Sequence, residues 1–197
     1  KTKFCLALRD YLEKNRPEYS VCLINDESLN LSKKTSYNGP AEEKKSRASF
    51  MSAVERSVSK SCIVIADGLN YIKGYRYQLY CVARAASTPH CAIHILNSTE
   101  TCRRYNECRE DRYENSVLEE LLDRFEEPNN QTKWDSPLFS TMSGDDQAFA
   151  EICKSLCTIK TARPPSMATS TVRIYSLSPC VLILKHFHRK PEQMETL

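Results

Sequence analysis

The chain reads Cys62-Ile63-Val64-Ile65-Ala66-Asp67 at its most informative point and continues directly into Gly68-Leu69-Asn70-Tyr71-Ile72-Lys73-Gly74. A short apolar, β-branched run bounded by turn residues predicts a strand buried on both faces, as in a parallel sheet covered by helices. Open α/β folds bind ligands in the crevice at the carboxyl edge of the sheet, which is where Asp67 would lie. An aspartate there either begins a turn or, in phosphate-binding folds, holds Mg²⁺ directly or through water.

Helices and buried strands alternate around this run. Apolar residues at helical spacing predict helices over residues 3–15, 41–60 and 75–86. Apolar runs predict buried strands over residues 20–25, 62–67 and 91–96. Such alternation is typical of βαβ units with right-handed crossovers, so we expect an α/β fold whose parallel sheet is flanked by helices. A second carboxylate, that of Asp26, directly follows the first predicted strand.

The segment after the third strand changes character. Residues 100–122 are rich in Arg and Glu, which predicts one or two exposed helices with charge pairs four residues apart. The arginines of this segment are Arg103, Arg104, Arg109 and Arg112. A mobile lid of this kind in phosphoryl-transfer enzymes brings guanidinium groups onto the transferring phosphate, so Arg103 and Arg104 are candidate nucleotide-binding residues. The alternative is a solvated helix face on which neighbouring acids pair with the arginines.

Composition bounds the class of protein. The chain has 197 residues, 41 % of them hydrophobic, and a formal net charge of +3, which suits one α/β domain with a tail and does not demand a nucleic-acid partner. No apolar run approaches the roughly 20 residues that span a bilayer, so no membrane partner is expected. The ten cysteines lack the spacing of typical zinc sites, which predicts reduced, mostly buried thiols in a cytoplasmic or nuclear protein.

The first two residues, Lys1 and Thr2, come directly before a predicted helix. A P-loop has the pattern G-x-x-x-x-G-K-[ST] between a strand and a helix, with its lysine on the β- and γ-phosphates and its hydroxyl on Mg²⁺. The start of the chain is what remains when a P-loop is cut just before its lysine, although two residues also match by chance. Together with Asp26 and Asp67 at two strand ends, the pair completes a candidate nucleotide and Mg²⁺ site.

Four longer motifs carry a family resemblance, namely NDESL (25–29), ADGLNYIKGYRYQLYC (66–81), RFEEP (124–128) and WDSPLF (134–139). They closely resemble the Elongator-accessory KTI (killer toxin insensitive) ATPases, which are similar to the P-loop kinase that phosphorylates seryl-tRNA for selenocysteine. The resemblance runs from Lys1 to about Asp146 and implies a P-loop NTPase or kinase-like domain over residues 1–159. Arg76 and Tyr77 fall in the second motif, where spacing assigns them no role.

The resemblance also implies roles for single residues. Lys1 and Thr2 match the Walker A lysine and hydroxyl, and Asp67 matches the Walker B-type carboxylate. ATP and Mg²⁺ are then the implied cofactors, with the metal held by Thr2 and Asp67. Asp26 lies near the γ-phosphate in this interpretation, where it acts as a catalytic base or positions the attacking water.

The sequence departs from the family pattern at both ends. The first strand and the glycine loop would precede Lys1, and the family's helical C-terminal region, implicated in tRNA binding, is missing. Without the loop, the backbone donors that cradle phosphates are expected to be absent, and without the strand, the apolar faces of its neighbours are expected to be exposed. Residues from about 160 to 197 are expected to form an irregular, disordered tail that resembles nothing in the family, with residues 181–184 as an isolated apolar run.

Three functions are compatible with these observations. The first is an ATP-binding accessory factor of Elongator in tRNA wobble-uridine modification, with ATP hydrolysed by the complete domain. The second keeps the site and makes the protein a kinase of a tRNA-linked or small hydroxyl, with Asp26 as the base. The third is a non-catalytic, truncated isoform that binds protein or RNA. The resemblance implies the Elongator complex and tRNA as partners, and a monomer in the cytoplasm and nucleus.

Overall fold

Helices and strands alternate in the computed structural model, which describes residues 1–142, 147–158 and 181–186. The helices are α1 (Thr2–Asn15), α2 (Lys33–Ser36), α3 (Pro40–Ser57), α4 (Lys73–Ala85), α5 (Thr99–Glu107), α6 (Asn115–Asp123) and α7 (Gln147–Thr158). The strands are β1 (Ser20–Asn25), β2 (Cys62–Asp67), β3 (His90–Leu96), β4 (Leu138–Met142) and β5 (Val181–His186). The elements predicted around Asp67 are therefore confirmed as α1, α3, α4, β1, β2 and β3, with boundaries that move by a few residues.

The strands form a parallel sheet in the order β1-β2-β5-β3-β4. β1 and β2 are in register from Ser20 opposite Cys62 to Asn25 opposite Asp67, so both strands end at the same edge of the sheet. Asp26 therefore begins its turn beside the end of β2. Helices flank the sheet on both faces, which confirms the predicted α/β architecture.

Strand β2 is buried on both faces, as its apolar run predicted. Ile63 and Ile65 pack on the face that receives α1 and α7, whereas Val64 and Ala66 pack on the face covered by α3 and α4. Each of these four side chains is at most 2 % exposed. Because successive side chains of a strand point to opposite faces, a sheet with helices on both sides requires apolar residues at every position. β2 thereby fixes Asp67 at the rim of the sheet.

Helix α1 is held against the same sheet by one apolar stripe. Phe4, Leu8 and Leu12 recur at four-residue spacing and are all buried in the core under β2 and β3. Burial of each such side chain contributes about 1.5–3 kcal/mol relative to leaving it in water. The stripe therefore fixes where the helix begins, and with it the positions of Lys1 and Thr2.

Strand β5 corrects the expectation for the tail. The sequence pattern predicts an isolated apolar run, but the structure places Val181–His186 as a parallel strand between β2 and β3. The facing edges of β2 and β3 carry backbone N–H and C=O groups that need partners, and β5 supplies them. Residues 160–180 and 187–197 of the predicted tail lie outside the described residues, and the domain boundary at residue 159 stays a prediction.

Three properties of the described residues bear on the class of protein. None of the helices in these ranges is long and apolar enough to cross a membrane. The eight cysteines whose surroundings the structure describes are free thiols. Within the described part of the chain, three or more His, Cys, Asp or Glu side chains do not meet in an arrangement that could hold a metal. Mg²⁺ is characteristically bound by only one or two carboxylates together with phosphates and waters.

Gly68 leaves no room for a side chain directly after β2. A Cβ built on Gly68 would lie 2.7 Å from two ring carbons of Phe50, which is itself buried, whereas a Cβ on Gly74 would have no heavy atom within 4 Å. We expect Gly68→Ala to lower the free energy of unfolding by about 1–3 kcal/mol through overpacking. The matched variant Gly74→Ala should be neutral or stabilising by up to about 1 kcal/mol, because it replaces a helical glycine. Urea unfolding measures both, and equal effects at the two positions would contradict the packing argument.

Candidate nucleotide site

The site is built where the start of α1 meets the end of β2. Lys1 is the N-cap of α1, and its Nζ lies 2.9 Å from Asp67 Oδ1 and donates a hydrogen bond to Gly68 O at 3.1 Å. The structure thus brings together the amine predicted to bind phosphate and the acid predicted to bind the metal. Thr2 is the first residue of α1, and its hydroxyl makes no hydrogen bond to any described residue. A helix N-terminus next to a cation is a favourable place for an anion.

The Asp67 carboxylate is buried and incompletely satisfied. The residue is 3 % exposed, and Oδ1 forms an ion pair with the Lys1 ammonium. Oδ2 accepts no hydrogen bond of regular geometry from a described residue, although the Cys5 thiol lies near enough for the carboxylate to raise its pKa. A buried carboxylate oxygen without a donor is costly, and its presence in a folded protein indicates a bound ion or water. A single oxygen of this kind fits a ligand of Mg²⁺, which takes hard oxygen donors and completes its shell with phosphate and water.

Burial and charge act in opposite directions on Lys1. Burial alone would lower the pKa of the Lys1 ammonium, but the charge and hydrogen bonding of Asp67 outweigh it, so that the pKa is raised. Lys1 therefore stays fully protonated at neutral pH. The ammonium is ready to bind a phosphate oxygen once it leaves Asp67.

Asp26 lies at the end of the neighbouring strand and is held by two donors. Its Oδ1 accepts a hydrogen bond from the Tyr37 hydroxyl at 2.6 Å, and its Oδ2 lies 3.2 Å from the Lys33 ammonium. The turn that places it is fixed by Asn25 Oδ1, which accepts from Ser28 N at 2.8 Å, and by the Ser28 hydroxyl, which donates to Asn25 O at 2.9 Å. These bonds explain why the NDESL motif has an amide before the acid and a serine after it.

The structure does not bring Arg103 and Arg104 to this site. Arg103 forms a bidentate pair with Glu119 of α6, with Nε and Nη2 each 2.7 Å from a carboxylate oxygen, and the guanidinium of Arg104 lies 5.7 Å from the ring centre of Tyr105. Neither guanidinium contacts Lys1, Asp26 or Asp67. The two arginines thus occupy the solvated helix face that was the alternative interpretation, and their role in nucleotide binding stays a prediction.

The connection between α5 and α6 lies closer to the acids. Burial first, and then the negative charges of Asp26 and Asp67, raise the pKa of Tyr113, while the charge of Arg109 opposes them. The ring of Tyr113 also packs edge-on against that of Tyr37, with 5.6 Å between centroids. Arg109 is therefore an arginine of this segment whose charge acts near the candidate site, and the sequence did not distinguish it from the other three.

Arg76 forms a buried ion pair that sequence spacing did not assign. Its Nε lies 2.6 Å from Asp135 Oδ1 and its Nη2 lies 3.2 Å from Asp135 Oδ2, with both side chains 1 % exposed. A third donor, Nη1, reaches Asn70 O in the loop after β2. The sequence contains both partners, since Arg76 and Asp135 occur in two separate motifs. It does not show that they form an ion pair, which the fold brings about. Tyr77, beside it, is exposed and contacts Trp134 edge-on at 5.6 Å.

The geometry of this site defines a class of protein. A parallel α/β sheet with a lysine and a threonine at the start of its first helix and an acid at the end of a neighbouring strand defines a P-loop NTPase-like domain. A sequence model of the family described as "Chromatin associated protein KTI12" matches residues 1–178. The chain belongs to this family. The match extends into the predicted tail, so the expectation that the chain departs from the family at about residue 160 is wrong up to residue 178.

Relatives and a solved structure agree with this assignment. The chain is 48 % identical to protein kti12 of Schizosaccharomyces pombe over 142 residues, which is 71 % of this chain and 50 % of the relative. It is 39 % identical to the KTI12 homolog of Danio rerio over 173 residues, or 87 % and 62 %. The chain spans about half to three fifths of the length of these relatives. The crystal structure of Chaetomium thermophilum Kti12 in complex with ADP-AlF3 superposes with a TM-score of 0.71 at 39 % identity, covering 79 % of this chain and 92 % of that one.

Proposed function

We propose that this chain is the nucleotide-binding part of a KTI12-type ATPase, with ATP bound at Lys1, Thr2 and Asp67. The observation that carries the proposal is the 2.9 Å contact between Lys1 Nζ and Asp67 Oδ1, together with the unpartnered second oxygen of Asp67. The relative from Chaetomium thermophilum is similar over most of its length and was crystallised with ADP-AlF3.

Each residue of the site has a separate role in the proposed hydrolysis of ATP. When ATP binds, the Lys1 ammonium leaves Asp67 and Gly68 O and contacts phosphate oxygens instead. The ammonium stays charged because its pKa is raised. Thr2 and Asp67 would hold Mg²⁺, which neutralises charge on the β- and γ-phosphate oxygens when bound. Asp26 is fixed through both oxygens, but a carboxylate has about four lone-pair positions, so it can still accept a proton of the attacking water and orient it.

The proposed cellular role is that of an Elongator accessory factor in tRNA wobble-uridine modification. Membership of the KTI12 family supports it, and the family's description as chromatin associated supports the nuclear part of a proposed nuclear and cytoplasmic location. Elongator and tRNA are the proposed partners. The complete protein would couple ATP hydrolysis to a conformational change in the tRNA-bound partner complex.

The test of nucleotide binding is a titration with a fluorescent ADP analogue. We expect Lys1→Met to weaken binding at least about tenfold, because a charge-assisted hydrogen bond to a phosphate is lost. Lys3→Met is the matched control, since Lys3 is an exposed residue of the same helix turn without an ion pair to any described residue. Equal affinities of the two variants would contradict the assignment of Lys1.

The same preparation separates hydrolysis from transfer. Incubation with γ-labelled ATP and bulk tRNA should release labelled phosphate and leave the RNA unlabelled. Label on the RNA would instead support the kinase, in which Asp26 accepts the proton of a substrate hydroxyl.

A further inference from the structure

Lys33 lies between two carboxylates that belong to different parts of the chain. Its Nζ is 3.2 Å from Asp26 Oδ2 and 3.9 Å from Asp111 Oδ2, and its side chain is only 17 % exposed. Asp26 follows β1, whereas Asp111 lies in the connection between α5 and α6. A partly buried cation shared by two acids is screened less by salt than an exposed pair, so it ties the two segments together.

The Asp111 end of this link is also held by the backbone. The Asp111 carboxylate accepts hydrogen bonds from Ser32 Oγ at 2.9 Å and from Lys33 N at 2.9 and 3.0 Å. Partial burial opposes ionisation, but these bonds and the Lys33 charge outweigh it and lower the pKa of Asp111. The connection between α5 and α6 is thus docked on the first residues of α2, with its acid ionised at neutral pH.

The Asp26 end is restrained by an aromatic pair as well. Tyr37 donates to Asp26 Oδ1 and packs its ring against Tyr113, two residues after Asp111. The Lys33 ammonium lies 5.9 Å from the centre of the Tyr113 ring. Asp26 is therefore linked to the segment between α5 and α6 in two ways. The ionic link runs through the Lys33 ammonium to Asp111, and the aromatic link runs through Tyr37 to Tyr113.

We propose that Lys33 is a positioning residue that holds Asp26 in place and couples it to docking of the Arg-rich connection, residues 108–114. This inference rests on the proposed ATPase function, because the position of Asp26 affects turnover only if Asp26 orients the attacking water. When the connection is docked, Asp26 is clamped by Lys33 and Tyr37 and is oriented for the attacking water. When the connection leaves, Lys33 loses one of its two acids and Asp26 loses part of its support.

The kinetic test compares Lys33→Met with Lys33→Arg. We expect Lys33→Met to lower kcat for ATP hydrolysis about tenfold and to change KM for ATP less than about twofold, because Lys33 positions the acid rather than the nucleotide. Lys33→Arg should restore most of kcat, since it keeps the charge. Lys34→Met is the matched control, because Lys34 is exposed and its ammonium forms no ion pair with a described residue. A fall in kcat that Lys33→Arg does not restore, or an effect confined to KM, would overturn the proposal.

A second measurement does not depend on hydrolysis. Limited trypsin digestion cuts after the exposed residues Arg109 and Arg112, which flank Asp111. We expect Lys33→Met to speed these cuts about fivefold, because the connection undocks more often, and Lys34→Met to leave them unchanged. If the unaltered protein hydrolyses no ATP and Lys33→Met still speeds cleavage, the proposed function fails and the link stands. If cleavage is unchanged, the link itself is absent.

Discussion

Asp67→Asn is expected to lower kcat for ATP hydrolysis by at least about a hundredfold. The substitution keeps the size of the side chain but removes the charge that would hold Mg²⁺ at the end of β2. Electrostatic contacts to a transferring phosphoryl group contribute most of the acceleration in this class of reaction, which justifies a large effect. Steady-state hydrolysis with ATP and Mg²⁺ measures it, and a Mg²⁺ titration in the presence of ADP shows whether metal affinity falls in parallel.

The control for this variant is Asp123→Asn. Asp123 is an exposed residue at the end of α6 without an ion pair to any described residue, so its replacement should leave hydrolysis unchanged. Folding of Asp67→Asn is checked by a cooperative thermal transition, because the variant also leaves the Lys1 ammonium without its counter-ion. A folded Asp67→Asn protein with unaltered turnover would remove the metal-binding role of this residue.

Arg76→Met is expected to destabilise the fold more than Gly68→Ala does. It leaves the Asp135 carboxylate buried without its counter-ion, a situation that costs about 3–5 kcal/mol in other proteins. From the described residues, Asp135 would then keep the hydrogen bonds from Asn129 N at 3.0 Å and Thr132 Oγ1 at 3.3 Å. We expect the urea midpoint to fall steeply, while Arg112→Met, at an exposed arginine, should leave it nearly unchanged.

The double variant Arg76→Met/Asp135→Leu tests whether Arg76 stabilises the fold through its ion pair with Asp135 or through its hydrogen bond to Asn70 O. A buried ion pair is costly to break but often cheap to replace as a whole by apolar side chains, so the double variant should regain part of the lost stability. An additive loss would show that Arg76 contributes through its bond to Asn70 O instead. That second result would mean that Arg76 fixes the loop after β2, which directly follows Asp67.

The local pattern of the sequence was enough to predict the scaffold. β2 and the helices α1, α3 and α4 follow from apolar spacing, because burial on one face or on two faces leaves a periodic trace in consecutive residues. The acids Asp26 and Asp67 could be placed at one edge for the same reason, since parallel strands end at the same side of a sheet. The contact between Lys1 and Asp67 was expected from the P-loop interpretation of Lys1 and Thr2 rather than from periodicity.

Pairings between distant segments could not be read in the same way. β5 was predicted to stand alone, because a short apolar run carries no information on which strands it will join. Arg103 was expected to bind the nucleotide, but it forms an ion pair with Glu119 instead. This pairing depends on how α5 crosses α6, which the sequence pattern does not show. The positions of Arg109 and Lys33 relative to the acids likewise depend on the path of the chain between helices, where periodicity is absent.

The sequence by itself determined the class of fold, the two acidic strand ends and the lysine and threonine at the start of α1. The tertiary structure alone decided that Arg76 meets Asp135, that Lys33 is shared by Asp26 and Asp111, and that β5 enters the centre of the sheet. The physical reason is how far apart in the sequence the interacting residues lie. Secondary structure and burial are set by neighbours along the chain, whereas an ion pair or a strand pairing depends on which surfaces meet when the core closes.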